Sequence, residues 1–142
     1  MKTKEEIIQE GNRKIVIFMG YKLITPAMRR TPSEWTMSYW ENAELGSRRV
    51  LCGENYLNYH CNWNRMMEVI EKINTLQKEK PGYCVILNGK TCIIDFYTEK
   101  LECVFSSVKK DFTKTLLENT FEAIVEFIDW YGSNVEITTI NE

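Results

Sequence analysis
Residues 83–96 read Tyr-Cys-Val-Ile-Leu-Asn-Gly-Lys-Thr-Cys-Ile-Ile-Asp-Phe, two β-branched segments separated by Asn88-Gly89. That dipeptide tolerates the positive φ angles of a two-residue hairpin turn better than almost any other, so the chain must place an antiparallel pair here. A loop at Asn88-Gly89 predicts Leu87 opposite Lys90, Val85 opposite Cys92 and Cys84 opposite Ile93. Both faces of this hairpin are mostly apolar, which calls for cover on each side or a wider sheet. Leu101 to Phe105, after a turn at Thr98-Glu99-Lys100, is a candidate third strand.

Helical patterns flank the hairpin. Lys4–Glu10 and Asn12–Met19 read as two helical pieces interrupted by Gly11, with Ile15, Phe18 and Met19 as the inner stripe and Gly20 as the stop. Trp63, Met66, Met67, Ile70, Ile73 and Leu76 recur at helical spacing after Asn62 or Cys61, which predicts a helix to about Lys78 with Met66, Met67, Ile70 and Ile73 in the core. Thr113–Tyr131 predicts the longest helix, ended by Gly132. Its apolar side carries Leu117, Phe121, Ile124, Ile128 and Tyr131, and its acidic row of Glu118, Glu122, Glu126 and Asp129 reads as a solvated face. The expected fold is α+β, with three main helices packed with a small antiparallel β-sheet, the hairpin lying on the two long helices. At 142 residues with 44% hydrophobic content, residues 1–142 are expected to form a single domain, with 133–142 a flexible tail.

Residues 21–58 have no clear period and are rich in Arg, Trp, Asn, Ser and Gly, and segments of this length without regular structure are usually functional. Within them Thr31-Pro32-Ser33-Glu34 has the form of a capping box, while Trp35, Met37 and Tyr39 alternate like a strand, and the sequence leaves both readings of 32–43 open.

Composition narrows the chemistry. Five cysteines, Cys52, Cys61, Cys84, Cys92 and Cys103, with no C-x-x-C pair and no leader ahead of them, suggest reduced thiols in a cytoplasm. Apolar runs such as Ile15–Met19 are too short to span a bilayer, so no membrane partner is expected. Lys and Arg number 14 against 10 Asp and Glu over residues 1–94, and 4 against 10 over 95–142. This is too weakly basic for a long phosphate backbone, but an anionic ligand would favour the first part. No P-loop, G-x-S-x-G, H-E-x-x-H or G-x-G-x-x-G pattern occurs. Cys52, His60 and Cys61 are too few and too close for a zinc set, so neither a metal nor another cofactor is expected. His60, the only histidine, can be drawn as a general base with Glu54 or Glu71, or as a helix-entry residue bonded to backbone.

Binding by stacking and charge is the remaining site type. Trp35, Trp40, Tyr59 and Trp63 supply flat faces, and Arg48, Arg49 and Arg65 supply guanidinium groups able to hold phosphate, with His60 among them. The same residues also read singly as core aromatics and surface arginines.

The stretches Ile15-Val16-Ile17-Phe18-Met19-Gly20 and Leu57-Asn58-Tyr59-His60-Cys61-Asn62-Trp63-Asn64-Arg65-Met66-Met67-Glu68-Val69-Ile70-Glu71-Lys72-Ile73 resemble a group of short proteins from bacteriophages and Bacteroidetes-type genomes. In that group a helix ending F-M-G is followed by Y-H-x-x-W-x-x-L-M-x-V-V-x-K-I, and the likeness extends to Val125–Tyr131. This chain departs with Asn62, Asn64, Arg65 and Glu68, where serine, aspartate, tryptophan and proline are more usual. The resemblance implies a phage protein in the cytoplasm of an infected bacterium. By analogy with small phage proteins, it implies a non-enzymatic sponge for a small nucleotide immune signal, cyclic or ADP-ribose-type. Alternatives are a protein-binding inhibitor or adaptor of a host factor and a nucleotide hydrolase using His60. A homo-oligomer fits the sponge reading, because pockets often form where subunits meet.

Overall fold
A computed structural model describes residues 1–25, 27, 38–42, 49–76, 83–97 and 102–141. The fold is α+β, with three helices and two three-stranded antiparallel sheets among these residues. The chain divides into two compact units, Met1–Asn58 and Tyr59–Glu142.

The first unit begins with α1, Lys4–Phe18. Thr3 caps it: its hydroxyl accepts from the Glu6 N–H at 3.2 Å while the Glu6 carboxylate accepts from the Thr3 N–H at 3.4 Å. The helix runs through Gly11 as one piece, correcting the two-piece expectation. Gly11, Asn12, Ile15 and Val16 form its buried face, so what glycine costs in helix propensity is offset by close burial. Gly20 closes the helix with φ +90°, a conformation L side chains rarely adopt. Strands β1 (Lys22–Ile24), β2 (Tyr39–Asn42) and β3 (Arg49–Gly53) then form a sheet in the order β1-β2-β3. A register shift at Trp40/Glu41 bends β2 against β3. Residues 31–37, on which the capping-box and alternation readings fell, lie outside the described residues, and of that segment Tyr39 is in a strand.

The second unit opens with a single 3-10 turn, Tyr59–Cys61, followed by α2, Trp63–Thr75, capped by the Asn62 side chain on the Arg65 N–H at 3.3 Å. Strands β4 (Tyr83–Asn88), β5 (Thr91–Tyr97) and β6 (Cys103–Lys109) form the second sheet in chain order. The hairpin is present with a shifted turn. Asn88 pairs with Thr91, Leu87 with Cys92, Val85 with Ile94 and Cys84 with Asp95, so the two-residue loop is Gly89-Lys90. Gly89, φ +60°, takes the first loop position, where primed hairpin turns need positive φ. The third strand, Cys103–Lys109, starts two residues later than expected and runs four residues past Phe105, with a bulge opposite Phe96/Tyr97 that leaves Val104 as its extra residue.

Helix α3, Leu116–Asn141, continues through Gly132 instead of ending there. Thr115 and Glu118 make a second reciprocal cap at its start, the Glu118 N–H donating to Thr115 Oγ1 at 3.1 Å and the Thr115 N–H to Glu118 Oε1 at 3.3 Å. Phe121, Ala123, Ile124 and Phe127 are buried with Cys92 and Ile94 of β5. Phe105 stacks on Trp130 at 4.8 Å and meets Phe127 edge-on at 5.8 Å. The acidic row of α3 is partly paired: Glu126 bridges to Lys109 at 2.6 Å and Glu122 to Lys114.

Asn119 fixes the hairpin against this helix. It has no exposure, and its Nδ2 donates to the carbonyls of Lys90 at 2.8 Å and Asp111 at 3.0 Å. Asn119→Ala leaves two carbonyl oxygens without their buried donor, and unfolding in urea is expected to show a loss of about 1–3 kcal/mol.

Candidate functional site
The eight residues read as a stacking and charge cluster take different positions. Trp35 and Arg48 lie outside the described residues, and Arg49 begins β3 opposite Asn42. Trp40, in the middle of β2, is only 2% exposed and belongs to the core of the first unit. Its indole Nε1 donates to the Glu54 carbonyl at 3.4 Å. The Arg13 guanidinium sits 5.8 Å from its ring centroid, with Arg13 Nη2 3.6 Å from Glu54 Oε1. An arginine from α1 therefore already covers a ring that the sequence offered to a ligand. Beside this pair a polar cleft of about 70 Å³ is lined by Gln9, Asn12, Arg13, Glu54, Asn55 and Leu57, room for a small polar group and not for a nucleotide.

The other four belong to the entry of α2. Tyr59 is 1% exposed and serves as core. His60 is half-buried, its imidazole edge-on to Phe121 with ring centroids 6.1 Å apart, and burial lowers its pKa from the ordinary 6.5. Trp63, at the first position of α2, keeps 37% of its surface, and Arg65 is half-buried two residues on. His60, Trp63 and Arg65 are thus close in sequence at the entry of α2, but Trp63 and Arg65, two residues apart on the helix, point to different sides, and His60 turns to Phe121.

Sequence reasoning placed both methionines of α2 in the core, and the structure separates them. Met66 is fully buried with Val69 and Ile73, whereas Met67 is 48% exposed. Adjacent helical residues point about 100° apart, so only one of the pair can face inward. Trp63 and Met67, four residues apart, therefore form an exposed stripe on one side of the helix. Met67 borders a shallow groove of about 400 Å³ lined also by Asn64, Glu68, Ile70, Glu71, Asn74 and Thr75. The signal for this stripe was in the sequence, in the helical angle between the paired methionines, but apolarity alone hides it.

Among the described residues, no three His, Cys, Asp or Glu side chains gather as a metal-binding group, and no helix is long and apolar enough to cross a membrane. Comparison with protein-family models, curated proteins and solved structures finds no match.

A histidine whose pKa is lowered on folding takes up its proton more readily when unfolded. Its stability contribution is complete above 6.5 and is lost as pH falls from there through the lowered folded value. Imidazole NMR titration should place the His60 midpoint below 6.5, and the melting temperature should fall with acidification over that window less steeply in His60→Gln than in the native chain.

Proposed function
We propose that the chain is a non-catalytic, phage-encoded binding protein that docks a host protein through the outward side of α2. The observation that supports this reading is the exposed pair Trp63 and Met67, two residue types that often anchor interfaces. Around Met67, Asn64, Glu68, Glu71 and Asn74 supply a polar rim, the usual surroundings of an interface centre. The rim is acidic at Glu68 and Glu71, which favours a partner with basic residues at its own edge.

The nucleotide-sequestering reading has its own support in His60, Trp63 and Arg65, which place an imidazole, an exposed ring face and a guanidinium at one helix entry. The carboxylates of Glu68 and Glu71, one to two turns further along α2, weigh against an anion spreading along the helix. For that reason protein docking is the preferred reading.

One set of samples separates the readings. The native chain, Trp63→Ala/Met67→Ala and His60→Ala are used to capture partners from a bacterial lysate, and each retained sample is heated and its small molecules chromatographed. Docking predicts a protein retained by the native chain, its affinity lowered roughly 30-fold or more in the double variant with little change in melting. An intact nucleotide released by heat and lost in His60→Ala supports sequestration instead. Protein capture unchanged by the double variant contradicts the preferred reading.

A further inference from the structure
The two edges of the second sheet are treated differently. On the β4 edge, the Val85 N–H donates to Asn74 Oδ1 of α2 at 3.1 Å, so Val85 turns its backbone groups away from β5. In an antiparallel ladder directly opposed residues turn their groups both toward or both away from each other, and the sense alternates along the strand. Ile94, opposite Val85, must therefore face β6 and bond Ser107. Ser106 and Val108 then point their N–H and C=O groups out from the free edge of β6. Among the described residues no backbone group bonds them from that side.

The side chains on this edge are also uncovered. Ser106 is exposed, and Val104 and Val108 keep 46% and 50% of their surface. Val108 continues a row with Ile93 and Ile86 across the three strands. Among the described residues this edge carries no further strand, and an open edge is a template for one; the order of its residues says which. Val108 stands two residues after Ser106 and Val104 two before it, at the bulge left between the pairs Phe96 with Phe105 and Tyr97 with Cys103, while Glu102 lies before the strand and Lys110 follows it.

We infer that β6 pairs with β6 of a second copy of this chain, antiparallel and centred on Ser106, giving a continuous six-stranded sheet. In this register Ser106 meets the partner's Ser106, and Val108 lies against the bulged segment at the partner's Val104. The Glu102 end of each strand meets the Lys110 end of the other, so charge complementarity favours this direction and alignment. Each copy presents the same surface, which closes the assembly as a two-fold dimer. The inference is independent of what α2 binds.

Light scattering behind size exclusion tests the assembly and two variants test the edge. The native chain is expected to be a dimer. Ser106→Pro removes the outward N–H, and with it the intrachain bond from Ser106 Oγ to Asp95 at 2.6 Å; Ser106→Ala, which loses only that bond, should stay dimeric, whereas Ser106→Pro, at an edge position where proline is tolerated, should give a folded monomer. Ser106→Cys, in a chain with the exposed Cys61 and Cys103 replaced by serine, should form an interchain disulfide on mild oxidation. Opposed Cα atoms in such a pair lie about 5.5 Å apart, within disulfide reach. Asn88→Cys in the same background should not cross-link. A native chain that stays monomeric at its highest soluble concentration overturns the inference. So does a dimer that survives Ser106→Pro while Ser106→Cys fails to cross-link. If Ser106→Pro does not fold, the cross-link decides.

Discussion

The Asn119 side chain bonds the carbonyls of Lys90 and Asp111 from a fully buried position on α3, and the order of the second unit follows from that contact. Lys90 is the second residue of the hairpin loop, and its Nζ reaches back to the Phe112 carbonyl at 3.0 Å. The turn, the segment before α3 and the first turns of α3 are thus tied at one point. With that point fixed, Cys92 and Ile94 of β5 are carried under Phe121, Ala123, Ile124 and Phe127, and Phe105 under Trp130. A donor shared by two backbone carbonyls sets position in a way that apolar contact does not, because contact alone is tolerant of sliding.

The same contact explains what could be read from the sequence and what could not. Asn88-Gly89 announced a hairpin correctly, since glycine's freedom at positive φ is a local property. The loop nevertheless centres on Gly89-Lys90, and the Lys90 carbonyl there accepts from Asn119, 29 residues further along, a contact that no local pattern announces. Thr3–Glu6 and Thr115–Glu118 carry the T-x-x-E pattern of reciprocal caps, a legible signal that fixes where α1 and α3 begin. Gly11 and Gly132 looked like breaks because helix propensity is a weak term that burial of Ile15 and Val16, or a long helix, outweighs. The sheet of the first unit was hidden, its strands being three to five residues long and set by a partner strand elsewhere in the chain.

The candidate site was legible as a place more than as a list. At the entry of α2 Trp63 is exposed, while His60 and Arg65 are half-buried. Trp40 and Tyr59 were read as ligand faces but are buried, and aromatic rings in cores and in binding sites leave the same mark on a sequence. Arg13 over Trp40 was invisible for another reason: it comes from a helix 27 residues away. Met67 reaches the surface through helix phase, about 100° from the buried Met66.

The functional reading depends on α2 turning Met66 inward and Trp63 with Met67 outward. Limited peroxide oxidation of the native protein, followed residue by residue by mass spectrometry of its peptides, measures that phase directly. Met67 should be oxidised readily while Met66 stays protected until the protein unfolds. Equal rates at the two positions, or faster oxidation of Met66, would contradict the account.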